Sequence, residues 1–225
     1  MSSDRRSGRS ARPTGRSRKE CEPDRAKQSN IEVLELELRN FQINLPLPQK
    51  QLLARYCDEL IHWNQRINLT GLSGVELVRR LVVEPVWVGL QLKAQGILAD
   101  IGSGNGSPAV PLHVLCNFRK THLIEARTKK AAFLRHLTTT LPLSAVIVHR
   151  AKFEGIVSEL GQVDWITLQG VALTAGLLDS VRPIAAATTN IVWISSSGAV
   201  VPMNPDSTLR VPHTGTQVFL FRVNG

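Results

Sequence analysis

The stretch Ile97-Leu-Ala-Asp-Ile-Gly-Ser-Gly-Asn-Gly106 carries the clearest indication of the fold. Its first five residues are apolar except for Asp100, as in a buried strand, and three glycines follow within the next five residues. Glycine allows positive φ angles and leaves room for a ligand to touch the backbone. A strand that ends in such a loop predicts a ligand site at the first turn of an α/β sheet.

Short apolar segments alternate with helical segments after this loop. Helices are predicted over Val110–Cys116 and Lys129–Thr139. Further strands are predicted over Thr121–Glu125, Ala145–Val148, Val163–Thr167, Ile191–Ile194 and Gln217–Val223. Repeated β-α units of this length predict a parallel sheet with helices on both faces, which we assign to residues 93–225.

Residues 31–92, before the loop, show helical spacing instead. One apolar stripe recurs at steps of three and four residues, through Leu52, Tyr56, Leu60, Trp63 and Ile67. Ser73 and Glu76 have the spacing of a capping box and predict the start of another helix. We therefore expect residues 31–92 to form a helical cap on the α/β domain.

Residues 1–30 are dominated by charged and small polar residues. They include nine basic and four acidic residues, a net charge of +5, and very few apolar ones, which predicts a disordered tail. Two interpretations remain open. The segment is either an arm that contacts RNA, or a solvated tail or misassigned start. The whole chain has a formal charge of +9 and a pI near 10.1, which suggests nucleic acid as a partner, but charge alone does not decide between this and a merely basic protein.

Several function classes are disfavoured by composition. Cys21, Cys57 and Cys116 lie far apart, which argues against a disulfide framework or a structural zinc site and fits a reducing compartment. The six histidines show no metal-ligand spacing, so no metal is expected. The sequence has no run of 18 apolar residues, so we expect no membrane span and a cytoplasmic location.

Glu125 follows Gly106 by nineteen residues, at the end of the second predicted strand. A carboxylate at this position can accept hydrogen bonds from both hydroxyls of a ribose. The combination occurs in dinucleotide-binding folds and in class I methyltransferases. The G-x-G-x-G spacing after an acidic residue favours the methyltransferase and disfavours a nicotinamide-dependent oxidoreductase. A glycine-rich turn without a ligand is the remaining alternative.

Three segments give the chain its resemblance to the glucose-inhibited division protein B family of small-subunit ribosomal RNA guanine-N7 methyltransferases. They are Trp63-Asn64-x-x-Ile67-Asn68-Leu69-Thr70, Asp100-Ile-Gly-Ser-Gly-x-Gly-x-Pro108-x-x-Pro111-Leu112 and Lys129-Lys130-x-x-Phe133-Leu134. The resemblance extends from about Leu52 to Val223. It implies a Rossmann-like class I fold and a monomer that methylates ribosomal RNA of the small subunit.

The same resemblance implies S-adenosyl-L-methionine as the cofactor and a set of residues that bind it. That set is Asp100, Gly102, Ser103, Gly104, Gly106, Pro108, Glu125, Ala126, Lys152, Phe153 and Gln169. Asn68 and Thr70 would lie in the wall between the cap and the catalytic domain, or serve only as turn residues. No catalytic base is expected, because guanine N7 carries a lone pair and no proton.

The chain departs from the family pattern at four places. Arg80-Leu-Val-Val-Glu84 stands in place of a histidine and an Asp-Ser pair, and Arg150-Ala-Lys152 replaces Arg-x-Glu. Gln169-Gly170 replaces an arginine followed by alanine, and Ser195-Ser-Ser197 replaces a lysine. Arg79 or Arg80 could offset part of the lost charge. These departures support a second hypothesis, a relative that binds S-adenosylmethionine or ribosomal RNA without transferring methyl groups.

Overall fold

The structure is a computed structural model that describes residues 29–195, 200–201 and 203–223. The tail predicted over residues 1–30 lies almost wholly outside the described residues. Ser196 and Ser197 of the serine run lie outside them as well. Within the described residues, no helix is both long and apolar enough to cross a membrane.

Within the described residues, which begin at Ser29, four helices precede the first strand. They are α1 (Asn30–Asn40), α2 (Leu47–Asn64), α3 (Gly74–Val78) and α4 (Glu84–Leu92), and a π-helical turn over Arg79–Val83 joins the last two. Ser73 does precede α3, but its side chain makes no hydrogen bond to the helix, so the capping box predicted with Glu76 is wrong. A capping contact occurs at α1 instead, where the Ser29 backbone N–H donates to the Glu32 carboxylate at 2.9 Å.

The described residues that follow form a seven-stranded sheet with the spatial order β3-β2-β1-β4-β5-β7-β6. Its strands are β1 (Gln95–Ile101), β2 (Asn117–Ile124), β3 (Val146–His149), β4 (Val163–Gln169), β5 (Ala185–Ser195), β6 (Ser207–Arg210) and β7 (Gln217–Arg222). The intervening helices are α5 (Ala109–Leu115), α6 (Thr128–Thr140), α7 (Val157–Leu160) and α8 (Ala175–Val181). The sheet with helices on both faces is the expected class I, Rossmann-like arrangement.

The sheet is mixed rather than wholly parallel as the repeated β-α units suggested. Strands β1 to β5 pair in parallel, whereas β7 is antiparallel to both β5 and β6. The connection from Val211 to Thr216 is too short for the crossover that a parallel pair requires, so β6 and β7 form a hairpin. Strand β6 was missed in the sequence because it is short and mostly exposed at the sheet edge.

Two apolar cores lie on opposite faces of the sheet. On one face, Leu98, Leu123 and Val192 pack with helices α1 to α6, so the cap and the sheet share a core. On the other face, buried residues such as Ile166 and Phe221 pack beneath α7 and α8. The cap therefore covers one face of the sheet and is not a separate globule.

Strands β1 and β4 are neighbours, although β1 is followed in sequence by β2 on its other side. The chain adds β2 and β3 on one side of β1 and then returns to add β4 and β5 on the other side, so the order of the strands reverses between β1 and β4. In open α/β sheets, the crevice at the carboxyl ends of such a strand pair is the usual ligand site. The Gly102–Gly106 loop lies there, directly after β1.

Candidate functional site

A cavity of about 400 Å³ opens at the carboxyl ends of β1, β2 and β4. The loop after β1 supplies Gly102 to Asn105 and Ser107, and Glu125 comes directly after β2. The opposite wall is Gln169–Val171, after β4. A polar floor with partly apolar walls, at this size, is typical of small-molecule and cofactor sites.

The glycine loop is held in shape by bonds to β2. The backbone N–H groups of Gly102 and Ser103 donate to the Ile124 carbonyl at 2.9 and 3.0 Å. The buried Ser103 hydroxyl donates to the Asp100 carbonyl and accepts from the Ile124 N–H, both at 3.0 Å. These bonds within the chain define the conformation of the loop beside β2.

The three glycines of the loop have different surroundings. A Cβ atom on Gly102, whose φ is +76°, would lie 2.5 Å from a Val171 methyl group. On Gly104, at φ +49°, it would meet only ordinary contacts, among them Glu125 Oε2 at 4.0 Å. Gly106 is buried instead, and its Cβ would lie 3.0 Å from Val110. Gly102 and Gly104 line the cavity, and Gly106 allows close packing behind it.

Glu125 lies at the floor of the cavity, 7% exposed. Its Oε2 accepts from the Gly104 N–H at 3.0 Å and its Oε1 accepts from the Arg127 N–H at 2.7 Å. Each carboxylate oxygen can accept a second hydrogen bond. The side chain is thus fixed in one orientation and keeps the capacity to bind hydroxyl groups of a ligand.

Asp100 lies beneath the loop and outside the cavity lining. Its Oδ1 accepts from the Thr167 hydroxyl at 2.6 Å, which links β1 to β4, and its Oδ2 has no partner among the described residues. Burial raises the pKa of Asp100 to about 7. This position gives the carboxylate a role in holding the strands together under the ligand site.

Gln169 lies at the end of β4, across the cavity from Glu125. Its Oε1 accepts from the Ser107 hydroxyl at 3.0 Å, which fixes the amide plane. The amide NH₂ then remains as a donor for a ligand. Gln169 thus offers a neutral donor where the family pattern has an arginine.

Besides Asp100 and Gly106, four of the residues implied by the resemblance do not line this cavity. Pro108 is buried just before α5, and Phe153 is buried in the core under α7. Ala126 and Lys152 are exposed, in the segments that follow β2 and β3 respectively. Together with Asp100 and Gly106, they form or support the surroundings of the cavity, whose lining is made by Gly102, Ser103, Gly104, Glu125 and Gln169.

The cap supplies part of the cavity wall through Leu69 and Leu81. Leu69 is placed by Asn64, whose side-chain oxygen accepts from the N–H groups of Leu69 at 2.8 Å and Thr70 at 3.0 Å. The Asn64 amide also donates to the Thr70 carbonyl at 2.9 Å. Asn64 therefore closes the turn after α2, a role that the sequence pattern did not separate from that of Asn68.

Tyr56 connects the cap to the glycine loop. It is fully buried, and its hydroxyl donates to the Asn105 carbonyl at 2.9 Å. Burial raises the pKa of the Tyr56 phenol, so the hydroxyl stays protonated and can donate. The same ring lies 3.4 Å from the position of a Cβ on Gly106, so cap and loop pack directly against each other.

Sequence reasoning missed Arg127 and Lys130 as cavity residues. Both line the cavity, and Lys130 Nζ lies 3.8 Å from the Cβ position of Gly104. The available signal was their position along the chain, because Arg127 directly precedes α6 and Lys130 lies in its first turn, close after Glu125. In the described parts of the chain, no group of three or more His, Cys, Asp or Glu residues is arranged to hold a metal ion.

Comparisons with known proteins agree with this geometry. The sequence profile of the family described as rRNA small subunit methyltransferase G matches residues 49–199. The chain belongs to this family. A relative named ribosomal RNA small subunit methyltransferase G from Halorhodospira halophila is 35% identical over 68% of this chain and 72% of its own length.

A relative with the same name from Roseiflexus sp. (strain RS-1) is 38% identical over 62% of this chain. The alignment spans 63% of that relative, just under two thirds of its length. Among solved structures, a SAM dependent methyltransferase from Aquifex aeolicus superposes with a TM-score of 0.50 at 15% identity, over 64% of this chain and 91% of that chain. This structural likeness confirms the fold.

Arg79 and Arg80, which could have offset charge lost at the departures from the family pattern, are both close to carboxylates in this member of the methyltransferase G family. Arg79 forms an ion pair with the buried Glu37, and Arg80 lies 3.8 Å from Glu84. Neither arginine lines the cavity. They are therefore used within the cap and do not replace the arginine that the family pattern has at Gln169.

Proposed function

We propose that the chain is an S-adenosylmethionine-dependent methyltransferase that modifies N7 of a guanine in small-subunit ribosomal RNA, in the cytoplasm. The observation that carries the proposal is Glu125. Two backbone N–H groups fix its carboxylate at the floor of a cavity bordered by a glycine loop. The names of the relatives supply the substrate class, ribosomal RNA of the small subunit.

The cavity fits this cofactor in shape and in chemistry. Its volume of about 400 Å³ lies in the range of small-molecule sites. Glu125 would hold the ribose hydroxyls. Gly104 leaves free the space above the carboxylate that a side chain would occupy. Leu69, Leu81 and Val171 provide apolar surface for the remainder.

When bound, S-adenosylmethionine supplies an electrophilic methyl group on a sulfonium. Guanine N7 is a nucleophile without a proton to lose, so the chain needs no general base there. Its residues would act by orienting the two partners and excluding water, effects that can supply several kcal/mol. Leu69 and Leu81 from the cap would exclude water, and the free amide NH₂ of Gln169 would orient the base.

The buried Asp100 does not take part as a base in this scheme. It lies outside the cavity lining, and a Thr167 hydroxyl occupies its Oδ1. Its contribution is to keep β1 and β4 in register under the loop. The fold thus agrees with a reaction driven by proximity rather than by proton transfer.

The decisive experiment is transfer of radiolabelled methyl from S-adenosylmethionine to small ribosomal subunits that lack the modification. Label on one guanine N7 is expected with the native chain. The variant Gly104→Asp should give none, because it adds a second carboxylate beside Glu125. Calorimetric titration of the cofactor should show binding to the native chain and its loss in the variant.

The titration also distinguishes the second hypothesis. Cofactor binding without methyl transfer to subunits would refute the proposed activity on this substrate and support a non-catalytic relative. Label on a different atom of the RNA would keep the methyltransferase and refute the N7 assignment. Nuclease digestion of labelled RNA followed by chromatography separates these results.

A further inference from the structure

A second cavity, of about 260 Å³, opens beside the proposed cofactor cavity. One side is the loop between α2 and α3, at Ile67 and Asn68, and the other is the segment 127–130 at the start of α6. We call this cavity the basic groove. Arg127 and Lys130 line both cavities, so the basic groove continues the surface of the cofactor site.

The cations of the basic groove lie near one carboxylate, Glu125, since Lys130 Nζ and Glu125 Oε2 lie 3.8 and 4.0 Å from the same Cβ position on Gly104, but they are not paired with it. Arg127, Lys129 and Lys130 form no ion pair with a carboxylate in the parts of the chain that the structure describes. The first turn of α6 contains no acidic residue either. The helix dipole disfavours cations at this end of a helix, so the three cations do not stabilise α6 through the dipole.

Asn68 faces the same groove and is not used by the fold. It is exposed, and its side chain makes no hydrogen bond to any residue in the described ranges. Asn64, four residues earlier, makes three side-chain hydrogen bonds that hold the turn. The amide of Asn68 is therefore available as a donor to a ligand in the groove.

We propose that the basic groove binds a phosphodiester of the RNA strand next to the nucleotide that enters the cofactor cavity. A guanidinium, two ammonium groups and an amide are donors suited to phosphate oxygens. Contacts of this kind set the position and register of a nucleic acid without reading its sequence. The inference rests on the proposed function, because the groove adjoins the cofactor cavity through Arg127 and Lys130.

Two groove residues permit a test that leaves the cofactor cavity intact. Lys129 and Asn68 line the basic groove but not the cofactor cavity. The variants are Lys129→Ala, which removes one charge, and Asn68→Asp, which adds a negative charge with almost no change of shape. The matched control is Lys120→Ala, the same substitution at an exposed residue of β2 that lines neither cavity.

Binding of a small-subunit RNA fragment to the full chain is measured by fluorescence anisotropy at several salt concentrations. For Lys129→Ala we expect several-fold weaker binding and a salt slope shallower by roughly 0.7 to 1. For Asn68→Asp we expect a loss of about tenfold or more, because repulsion of the phosphate replaces a hydrogen bond. The control Lys120→Ala should bind as the native chain does, and calorimetry should show equal cofactor affinity for all four proteins.

Native RNA affinity and salt slope in both groove variants would overturn the inference. An equal loss in Lys120→Ala would overturn it as well, since the effect would then follow net charge and not the groove. If the native chain transfers no methyl group and the groove variants still weaken RNA binding, the proposed activity fails and the groove stands. Circular dichroism of each variant confirms that the comparison is made between folded proteins.

Discussion

The two glycines Gly104 and Gly106 belong to one motif, yet the structure predicts different effects for their replacement by alanine, a loss of cofactor affinity at Gly104 and a loss of stability at Gly106. At Gly104, with φ +49°, alanine adopts the left-handed region at a cost of roughly 1–2 kcal/mol. Its methyl group would meet no atom closer than 3.6 Å but would occupy the space beside Glu125. We expect a folded protein whose affinity for S-adenosylmethionine is at least tenfold lower, which corresponds to about 1.4 kcal/mol.

At Gly106 the φ angle is +92°, and the added methyl would lie 3.0 Å from Val110 and 3.4 Å from Tyr56. Backbone strain of about 1–3 kcal/mol and overpacking of about 1–3 kcal/mol then add together. For a chain of this size, each kcal/mol lowers Tm by roughly 2–4 °C. We therefore expect Gly106→Ala to lower Tm clearly more than Gly104→Ala does.

The assays are thermal unfolding followed by circular dichroism and calorimetric titration of the cofactor below the Tm of each variant. The reasoning requires that the two variants separate, Gly104→Ala by affinity and Gly106→Ala by stability. Native cofactor affinity in Gly104→Ala would refute the assignment of its surroundings as the ribose site. Equal losses of Tm in both variants would refute the distinction between a cavity glycine and a packing glycine.

Three further perturbations test other contacts. Glu125→Gln keeps one acceptor oxygen and places an NH₂ group against a backbone N–H. Its affinity for the cofactor, measured by calorimetry, should fall at least tenfold, and an unchanged affinity would contradict the proposal that Glu125 binds the ribose. Tyr56→Phe leaves the Asn105 carbonyl without its hydrogen-bond donor. Urea denaturation should show a free energy of unfolding lower by about 1–2 kcal/mol. An unchanged free energy of unfolding would show that this hydrogen bond does not stabilise the contact between the cap and the glycine loop. Burial lowers the pKa of His122 to about 4, so below pH 6.5 the unfolded chain takes up this proton first and acidification destabilises the fold. Burial raises the pKa of Asp100 to about 7, so below pH 7 the folded chain takes up that proton first and acidification stabilises the fold. Asp100→Asn removes only the stabilising effect of Asp100. As the pH is lowered from 7 to 5, the free energy of unfolding of this variant should therefore fall more steeply than that of the native chain. An equal pH dependence in the two proteins would contradict the opposite effects assigned to His122 and Asp100.

Much of the sheet could be predicted because its strands are short apolar runs between turn signals. Strands β1 and β4 lie where the pattern of Ile97–Ile101 and Val163–Thr167 indicates. The exposed β6 lacks such a pattern, and the antiparallel hairpin depends on pairing that only the assembled sheet defines. The π-helical turn over Arg79–Val83 interrupts the regular helical period and gives no local signal of its own.

The candidate site could be predicted where one loop supplies it. Gly102, Gly104 and Glu125 were identified from spacing along the chain, because the end of one parallel strand lies beside the end of the next. Lys130 and the wall residue Leu81 come from helices that only tertiary packing brings to the cavity. Asn64 could not be distinguished from Asn68 in sequence, since the same residue type closes a turn at one position and is exposed in the basic groove at the other.

Because the cap and the sheet share one apolar core, we expect that neither folds stably without the other. A truncated chain beginning at Gln95 would expose the sheet face around Leu98 and Val192, and contiguous apolar surface of that kind promotes aggregation. It would also lose Leu69 from the cavity wall and the hydroxyl that supports the glycine loop. Any cofactor that binds the cavity consequently stabilises the helices and the sheet in a single cooperative step, and protease resistance of the α2–α3 loop would rise with cofactor concentration.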